Sequence, residues 1–221
     1  TLSADDVFTL TVTNTNDAPT VTSAIADAST DEDAAYSLDV SSMCTDVDVG
    51  DSLAYTMSGA PSTLSISSGT ISGTPLNADV GTHTITVTCT DDSSAAASAS
   101  DSFVLTVANT NDAPTVSTAI SDTSIAEDAT TLSLSASFAD VDVGDTLTYT
   151  MSGCPSTISI DSSTGAITGT PVNADVGAST CTVTATDDGT GTLSATDEFV
   201  LTVTNTNDAP TVSTAISDTS I

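Results

Sequence analysis

The chain has 221 residues, of which 30 are Asp or Glu and none is Lys or Arg, so its formal net charge at pH 7 is −30. Binding to nucleic acid or to an anionic membrane surface requires clustered basic side chains, so both functions are excluded. Salt bridges to Lys or Arg are excluded as well, and the partners that this charge favours are cations.

Residues 1–13 carry a pattern that returns later in the chain, since they match residues 192–204 at 10 of 13 positions. We predict that they are the last strand of a preceding repeat. The hexapeptide Asn-Thr-Asn-Asp-Ala-Pro follows as a linker at 14–19, and it recurs at 109–114 and 205–210. The three copies set a repeat length of 95 to 96 residues, which is typical of a tandem array of domains.

The first full repeat spans residues 20–108 and alternates apolar and polar residues with period two, as half-buried strands require. Clusters of Gly, Pro, Asn, Asp and Ser separate the candidate strands. These strands are predicted at 35–40, 52–57, 64–66, 70–73, 83–90 and 103–107. Because no segment has helical spacing, the repeat is predicted to be all-β.

The second full repeat, residues 115–204, keeps the landmarks of the first. The turn Asp46-Val-Asp48-Val-Gly50-Asp51 returns as Asp140-Val-Asp142-Val-Gly144-Asp145. About seven short strands in each repeat predict tandem Ig-like antiparallel β-sandwiches with Greek-key connections, arranged end to end. The predicted inward side chains are Ile85, Val87, Cys89, Phe103, Leu105 and Val107, then Cys181, Val183, Ala185, Phe199, Leu201 and Val203.

Residues 205–221 are predicted to be a linker followed by the first strand of a following repeat, because they are identical to residues 109–125 at all 17 positions. A strand without a partner would expose an apolar face and unpaired backbone groups. We therefore expect either a continuous array of repeats or strand addition between identical chains. Both arrangements predict a filament or a stalk.

Four cysteines are divided equally between the two repeats at positions that are not equivalent: Cys44 and Cys89, then Cys154 and Cys181. Pairing within each repeat leaves no odd thiol, which favours two intradomain disulfides and an oxidising, extracellular compartment. Four buried free thiols are the alternative. A CxxC-type zinc site is excluded, because no two cysteines are close in sequence and the chain has one histidine.

Acidic residues recur where the predicted strands end. Each repeat has an Asn-x-Asn-Asp linker before it, an Asp-x-Asp turn, and a Thr-Asp-Asp sequence after the penultimate strand. Two of the three Glu residues, Glu32 and Glu127, occupy equivalent positions. Loops at one end of a sandwich converge, so these oxygens can meet around one hard cation. Ca²⁺ takes about six to eight irregularly placed oxygen ligands and suits such a site better than Mg²⁺.

The linkers resemble those of cadherin repeats. With the Asp-x-Asp turn and the run Gly73-Thr-Pro-Leu-Asn-Ala-Asp-Val-Gly81, nearly the whole chain resembles the dystroglycan-type cadherin-like or Ig family of bacterial surface proteins. The resemblance implies cadherin-like sandwiches with Ca²⁺ at the boundaries between repeats. Between the two full repeats the implied ligands are Glu32, Asn109, Asn111, Asp112, Asp140, Asp142 and Asp187. At the preceding boundary they are Asn14, Asn16, Asp17, Asp46, Asp48 and Asp91, and at the following one Glu127, Asn205, Asn207 and Asp208.

The sequence departs from the cadherin pattern in two places. Its linkers begin with Asn where cadherins usually have Asp, and the cadherin Asp-Arg-Glu element is replaced at best by Asn77 with Asp79 and by Asn173 with Asp175. Fewer carboxylates at each boundary predict fewer or weaker ions than in a cadherin junction. The alternative is that the acids only form turns and add solubility, and Asp51, Asp145, Asp122 and Asp218 fit this alternative.

The predicted function is structural. We expect a segment of an extracellular filament or adhesin stalk at the cell surface, with neighbouring repeats rigidified by Ca²⁺. The alternative is a glycan- or partner-binding module of a large surface protein. An enzyme is not predicted, because His83 is the only histidine and its counterpart in the second repeat is Ser179. Insertion into a membrane is not predicted either, because no apolar run is long enough to span a bilayer.

Overall fold

The structure is a computed structural model that describes residues 3–93, 95–129 and 132–218. The chain divides into two compact units, Thr1–Thr110 and Asn111–Ile221, which are described separately. Within the described residues, each unit is built from short and medium strands with a single turn of 3₁₀ helix, at Asn77–Asp79 in the first and Asn173–Asp175 in the second. The all-β prediction is confirmed.

The first unit forms two facing sheets and a short pair of strands. One sheet has the order β2-β9-β8-β5, the other has the order β3-β7-β6, and β1 pairs with β4. Their bounds are β1 (Thr20–Val21), β2 (Ala28–Asp31), β3 (Tyr36–Asp39), β4 (Cys44–Thr45), β5 (Ala54–Ser58), β6 (Leu64–Ser67), β7 (Thr70–Gly73), β8 (Gly81–Thr90) and β9 (Ser98–Ala108). The sandwich is antiparallel except that β2 runs parallel to β9.

The second unit repeats this topology. Its sheets have the orders β11-β18-β17-β14 and β12-β16-β15, and β10 pairs with β13. The bounds are β10 (Thr115–Thr118), β11 (Thr123–Ala126), β12 (Leu132–Ser135), β13 (Ser137–Ala139), β14 (Thr148–Ser152), β15 (Ile158–Ile160), β16 (Ala166–Gly169), β17 (Gly177–Thr186) and β18 (Ser194–Thr204). Here β11 is the strand that runs parallel, beside β18.

The long hairpins β8–β9 and β17–β18 supply most of each core. All twelve predicted inward side chains are buried, and Ile71 of β7 and Ile167 of β16 meet them from the opposite sheet. Period-two alternation decides this outcome, because successive side chains of a strand point to opposite faces of the sheet. Each fully buried aliphatic side chain stabilises the fold by about 1.5–3 kcal/mol relative to exposure.

Both predicted disulfides form, and the alternative of free thiols is wrong. Cys44 at the start of β4 is bonded to Cys89 in β8, and Cys154 after β14 is bonded to Cys181 in β17. By repeat equivalence, the second unit has Phe138 and Ala185 where the first has its disulfide, and the first has Ala60 and Ile85 where the second has its own. Each cross-link therefore stands where the other repeat has one large and one small apolar side chain.

The two segments predicted as strands of neighbouring repeats are not strands here. Residues 3–13 and 205–218 contain no strand, and Val7, Phe8, Leu10 and Val12 are 76–89% exposed. A strand needs a hydrogen-bonding partner, and these segments pair with none of the described strands. Residues 1–2 and 219–221 of the predicted segments lie outside the described residues.

Candidate cation sites

The loop between β4 and β5 carries Asp46, Asp48 and Asp51 within six residues. Gly50 has a φ of +108°, which L side chains rarely adopt, so glycine permits the turn. Asp46 Oδ1 accepts a hydrogen bond from the Asp48 N–H at 2.9 Å, and the Asp48 carbonyl accepts one from the Asp51 N–H at 3.4 Å. The turn therefore holds three carboxylates in one small loop.

Asp48 binds the linker that precedes the first repeat. Its Oδ1 accepts from Asn14 Nδ2 at 2.8 Å, and its Oδ2 accepts from the Asp17 N–H at 2.7 Å. Asn16 Nδ2 donates to Asp91 Oδ2 at 3.2 Å. The structure thus brings together the predicted residues of this boundary, although they come from segments more than 30 residues apart.

Asp91 is buried and holds its own loop. Its Oδ1 accepts from the Ser93 hydroxyl at 2.7 Å and from the Ser93 N–H at 3.1 Å, while the Ala97 N–H lies 3.2 Å from both oxygens. These hydrogen bonds, that from the Ser93 hydroxyl above all, lower the pKa of Asp91. The carboxylate is consequently fixed in place and ionised at neutral pH.

Asp46, Asp51 and Asp91, here called the Asp46 cluster, each offer an oxygen within 4.8 Å of the others. Asp46 Oδ2 and Asp51 Oδ2 are buried and have no hydrogen-bond partner. Burial, and then the neighbouring acids with Asp92 first, raise the pKa of Asp51. The sequence alone does not separate Asp51 from the turn-forming acids, whereas the structure places it in this cluster. Its recurrence as Asp145 was the signal that could have revealed it.

The second unit repeats two of these linker hydrogen bonds. Asn111 Nδ2 donates to Asp187 Oδ2 at 3.2 Å, and the Asp112 N–H donates to Asp142 Oδ2 at 2.6 Å. Asp140 Oδ2 and Asp145 Oδ2 are again buried without a hydrogen-bond partner. A side chain at Gly189 would collide with the Asn111 amide and the Asp145 carboxylate, so glycine allows the loop to close on them.

Glu32 and Glu127 bind the linker that leaves each repeat. Glu32 Oε1 accepts from the Thr110 N–H at 2.9 Å, and Glu127 Oε1 accepts from the Thr206 N–H at 2.7 Å. The two side chains are only 2% and 1% exposed, and the Oε2 atom of each has no hydrogen-bond partner. Glu127, Asp128 and Asp208, here called the Glu127 cluster, each offer an oxygen within 4.8 Å of the others.

Other acids and amides of the predicted sets lie elsewhere. Asn109, Asn205 and Asn207 are exposed in their linkers. Asp79 Oδ2 accepts from the Thr63 hydroxyl at 2.7 Å and from the Leu76 N–H at 3.0 Å, and Asp175 Oδ2 makes the equivalent bonds with Thr157 and Val172. These two carboxylates stabilise the 3₁₀ turns, which is a different task from that of the cadherin Asp-Arg-Glu element.

The chemistry of these clusters fits a hard divalent cation. The donors are carboxylate oxygens, several of them buried and unpartnered, and the chain has no Lys or Arg to neutralise them. A buried anion without a counter-charge or hydrogen bond is costly. Ca²⁺ accepts all-oxygen ligand sets of irregular geometry, so the residues present fit this ion.

The profile of the family described as "Putative Ig domain" (He_PIG) matches residues 18–108 and 113–204. The chain belongs to this family. A Staphylococcus aureus (strain MRSA252) relative, "Serine-rich adhesin for platelets", is 34% identical over 160 residues. That alignment covers 72% of this chain and 11% of the adhesin, so the chain spans a small part of its relative's length.

Solved cadherin structures share the fold of this He_PIG chain. Mouse Cadherin-23 EC22-24 has a TM-score of 0.58 at 24% identity, covering 83% of this chain and 63% of the cadherin chain. Protocadherin Gamma C5 EC1-3 has a TM-score of 0.57 at 21% identity, covering 84% and 68%. The expected Ig-like and cadherin-like fold is therefore confirmed.

The extracellular or cell-surface location predicted from the cysteines is also confirmed. The He_PIG repeats have an adhesin relative, and both repeats contain a disulfide, a bond that persists in oxidising compartments. Within the part of the chain that the structure describes, no helix has the length and apolar character needed to cross a bilayer.

Proposed function

We propose that this He_PIG chain is a segment of an extracellular adhesin stalk whose repeats are held end to end by Ca²⁺ at the linkers. The observation that carries the proposal is a set of six buried carboxylate oxygens without hydrogen-bond partners, three in each repeat. They belong to Glu32, Asp46, Asp51, Glu127, Asp140 and Asp145. All six lie in loops or at strand ends. In each of these places, the same residue or a neighbouring one also forms a hydrogen bond with the linker.

Each repeat contributes two kinds of ligand in this proposal. The Asp46 cluster would hold a cation where a linker arrives, with Asp140, Asp145 and Asp187 as the equivalent positions in the second repeat. Glu32 or Glu127 would hold one where a linker leaves. Bound Ca²⁺ supplies the positive charge that the chain itself lacks. Asp48 and Asp142 position the linker by accepting its backbone and amide hydrogen bonds.

Rigidity follows from linkage. An ion that binds only the arrangement in which linker and repeat are correctly placed makes that arrangement more stable, by about 2.7 kcal/mol when free Ca²⁺ is about 100 times the dissociation constant. Extracellular calcium modules operate at about 10⁻⁴–10⁻³ M Ca²⁺. No catalysis is proposed, in keeping with a family described as an Ig domain and a relative named as an adhesin.

The test is a calcium count on the 221-residue chain, by elemental analysis after dialysis against about 1 mM Ca²⁺, with a chelator-treated control. We expect at least two ions per chain, and fewer in the double variant Asp46→Asn/Asp51→Asn. The matched control is Asp5→Asn/Asp6→Asn, which removes the same charge from an exposed segment outside the strands. Small-angle scattering should then show a narrower distribution of interatomic distances for the chain in Ca²⁺ than in chelator.

Two results would contradict the proposal. A chain that retains no calcium above the chelator-treated control would leave the acids as turn-forming and solubilising residues. A chain that binds calcium without any change in scattering would show that the bound ions do not make the linkers rigid.

A second candidate function is recognition of a partner or glycan, favoured by the S. aureus relative, which is named as an adhesin for platelets. The measurement is binding of the chain to a glycan array and to immobilised platelets, with and without chelator. Saturable binding to one of them would support this function, and it is compatible with a stalk.

A further inference from the structure

Among the described strands, each repeat has one parallel pair, formed by a strand near its start and by its last strand. In the first repeat β2 lies beside β9, with Ala28 opposite Leu105 and Asp31 opposite Ala108. In the second repeat β11 lies beside β18 over the same number of residues. These two strand pairs, β2 with β9 and β11 with β18, are here called the terminal pairs.

Tension along the chain loads a terminal pair in shear. Force enters β2 at its first residue and leaves β9 at its last residue, and in a parallel pair these two points lie at opposite ends. The backbone hydrogen bonds between the two strands must then break together. In an antiparallel pair the two points lie at the same end, so the bonds break one after another. The parallel arrangement therefore makes the terminal pair the part of the sheet that resists extension.

Neither disulfide protects the terminal pairs. The loop closed by Cys44 and Cys89 excludes both β2 and β9, and the loop closed by Cys154 and Cys181 excludes β11 and β18. The strand β1, which precedes β2, pairs with β4 over only two residues. The non-covalent contacts of a terminal pair therefore bear force before the cross-link of that repeat does.

Asp27 and Asp101 extend the first terminal pair with side-chain hydrogen bonds. Asp101 lies in β9, and its Oδ2 accepts from the Ile25 N–H at 2.7 Å. Asp27 Oδ1 accepts from the Val104 N–H at 2.8 Å. These bonds join the segment just before β2 to the last strand, over 76 and 77 residues of sequence. A carboxylate thus takes the place of a backbone acceptor ahead of Ala28, where the strand pairing begins.

The second repeat has the same two bonds. Asp197 Oδ2 accepts from the Ile120 N–H at 2.6 Å, and Asp122 Oδ1 accepts from the Val200 N–H at 2.8 Å. Within the part of the chain that the structure describes, none of the four aspartates that make these bonds belongs to an acidic cluster. The candidate cation sites therefore do not account for them.

We propose that these four aspartates are load-bearing residues, which fasten the start of each repeat to its last strand and set the force at which the repeat unfolds. A hydrogen bond to an ionised acceptor is stronger than one between neutral groups, so each aspartate adds more resistance than one further backbone bond. This role rests on the proposed function, since a stalk carries tension along its chain. It needs no bound cation, because each carboxylate acts through hydrogen bonds within its own repeat.

The experiment stretches single oxidised chains at constant force, in chelator and in about 1 mM Ca²⁺, and measures the unfolding rate of each repeat. The first repeat gives the shorter step, because its disulfide withholds more residues from extension. The variant Asp27→Ala/Asp101→Ala removes both acceptors from the first repeat. The variant Asp27→Asn/Asp101→Asn removes the two charges and keeps an amide oxygen that can accept a hydrogen bond.

The matched control is Asp79→Ala, which removes a carboxylate that accepts two hydrogen bonds inside the disulfide loop of the same repeat. The unaltered second repeat is a further control within each molecule. Circular dichroism verifies that the variants fold. Asp27→Ala alone, which removes a solvent-exposed hydrogen bond, serves as the test variant where the double Ala variant does not fold.

We expect the first repeat of the Ala variant to unfold about tenfold or more faster than wild type at the same force, in both solutions, because a hydrogen bond to a charged group contributes enough free energy for that factor. The Asn variant should fall between the two, and Asp79→Ala should match wild type. An unchanged rate in the Ala variant, or an equal increase in Asp79→Ala, would overturn this inference and leave the proposed function intact. Faster unfolding of the Ala variant in a chain that binds no calcium would support this inference and contradict only the proposed role of Ca²⁺.

Discussion

At the scale of single residues, the same carboxylate group performs three tasks in this protein. Asp48 accepts hydrogen bonds from the linker, Asp79 accepts them within its own 3₁₀ turn, and Asp51 keeps a buried oxygen without any partner. The surroundings decide which task applies, because an ionised carboxylate is stabilised by nearby N–H and O–H donors, or else by a cation. Unpartnered oxygens are accordingly the mark of the candidate sites.

Asp161 provides a test of a carboxylate that is stabilised by several hydrogen bonds to its Oδ1 atom. The Ser163 hydroxyl, the Thr164 N–H and the Thr164 hydroxyl hold its pKa at about 2, below the ordinary value of 3.8. Because the folded state favours the ionised form, the stabilisation is complete above about pH 4 and is lost as pH falls through about 2. Asp161→Asn should therefore flatten the acid dependence of the melting temperature over this range.

The measurement is thermal unfolding between about pH 4 and about pH 2 on protein freed of calcium by chelator at neutral pH and then dialysed into calcium-free buffer, which isolates proton effects from calcium. Other acids also titrate there, so the informative quantity is the difference between wild type and variant. Asp6→Asn, in the exposed segment before the first repeat, should show no such difference. Parallel pH profiles for wild type and Asp161→Asn would contradict the prediction.

At the scale of elements, each sandwich is held by its central hairpin and by one disulfide placed differently in each repeat. Cys181 in β17 pairs with Cys154, whereas the equivalent positions in the first repeat are Ile85 and Ala60, both packed in its core. Either solution fills the same space between a strand and a loop. The disulfide adds a constraint on the unfolded chain that the apolar pair lacks.

Replacing Cys154 by Ala and Cys181 by Ile transfers the solution of the first repeat to the second. The lost cross-link closes a 27-residue separation, and its removal costs about 3.5 kcal/mol in the chain-entropy model. Burial of the new Ile side chain offsets about half of this loss. We expect a decrease of about 2 kcal/mol in the free energy of unfolding, measured with urea.

Reduction of the wild-type chain is the matched control, because it breaks the same bond without adding an Ile side chain. The reduced protein should be less stable than the double variant in its second unit. A double variant as stable as the oxidised wild type would show that the disulfide adds nothing beyond packing.

At the scale of the whole molecule, the cross-links determine how far the chain extends under force. The first disulfide closes a 45-residue separation and the second a 27-residue separation, in units of nearly equal length. Residues inside a disulfide loop cannot extend when the ends of the chain are pulled. The two repeats should therefore differ in unfolding length although they share one fold.

Single-molecule pulling on the oxidised chain should show one repeat releasing about 60 Å less than the other, at about 3.4 Å per residue. Reduction should lengthen the two steps by about 150 Å and about 90 Å, which also identifies each step. Two steps of equal length in oxidised protein would contradict the prediction that the two disulfides withhold different lengths of chain from extension.

The organisation of the repeats could be read from the sequence because its signals are local. Period-two alternation predicts that Ile85, Val87 and Phe103 are in the core, where the structure has them. This pattern is visible within each strand and requires no knowledge of distant residues. The linkers and Asp-x-Asp turns were likewise visible as repeated short motifs. The same local signals could not show that β2 lies parallel to β9, since that pairing joins segments about 77 residues apart.

The sequence by itself determined the repeat, the all-β fold and the chemical class of the candidate ligands, because composition and spacing fix each of these, and it favoured the disulfide pairing that the structure shows. Only the tertiary structure decided which acids are available for a cation. Asp79 and Asp175 accept hydrogen bonds from hydroxyl and backbone donors. In contrast, Asp51 and Asp145 each have a buried oxygen without a hydrogen-bond partner. Asp128 lies within 4.8 Å of two other carboxylates. The physical reason is that hydrogen-bond satisfaction depends on donors brought near by folding, which no sequence spacing records.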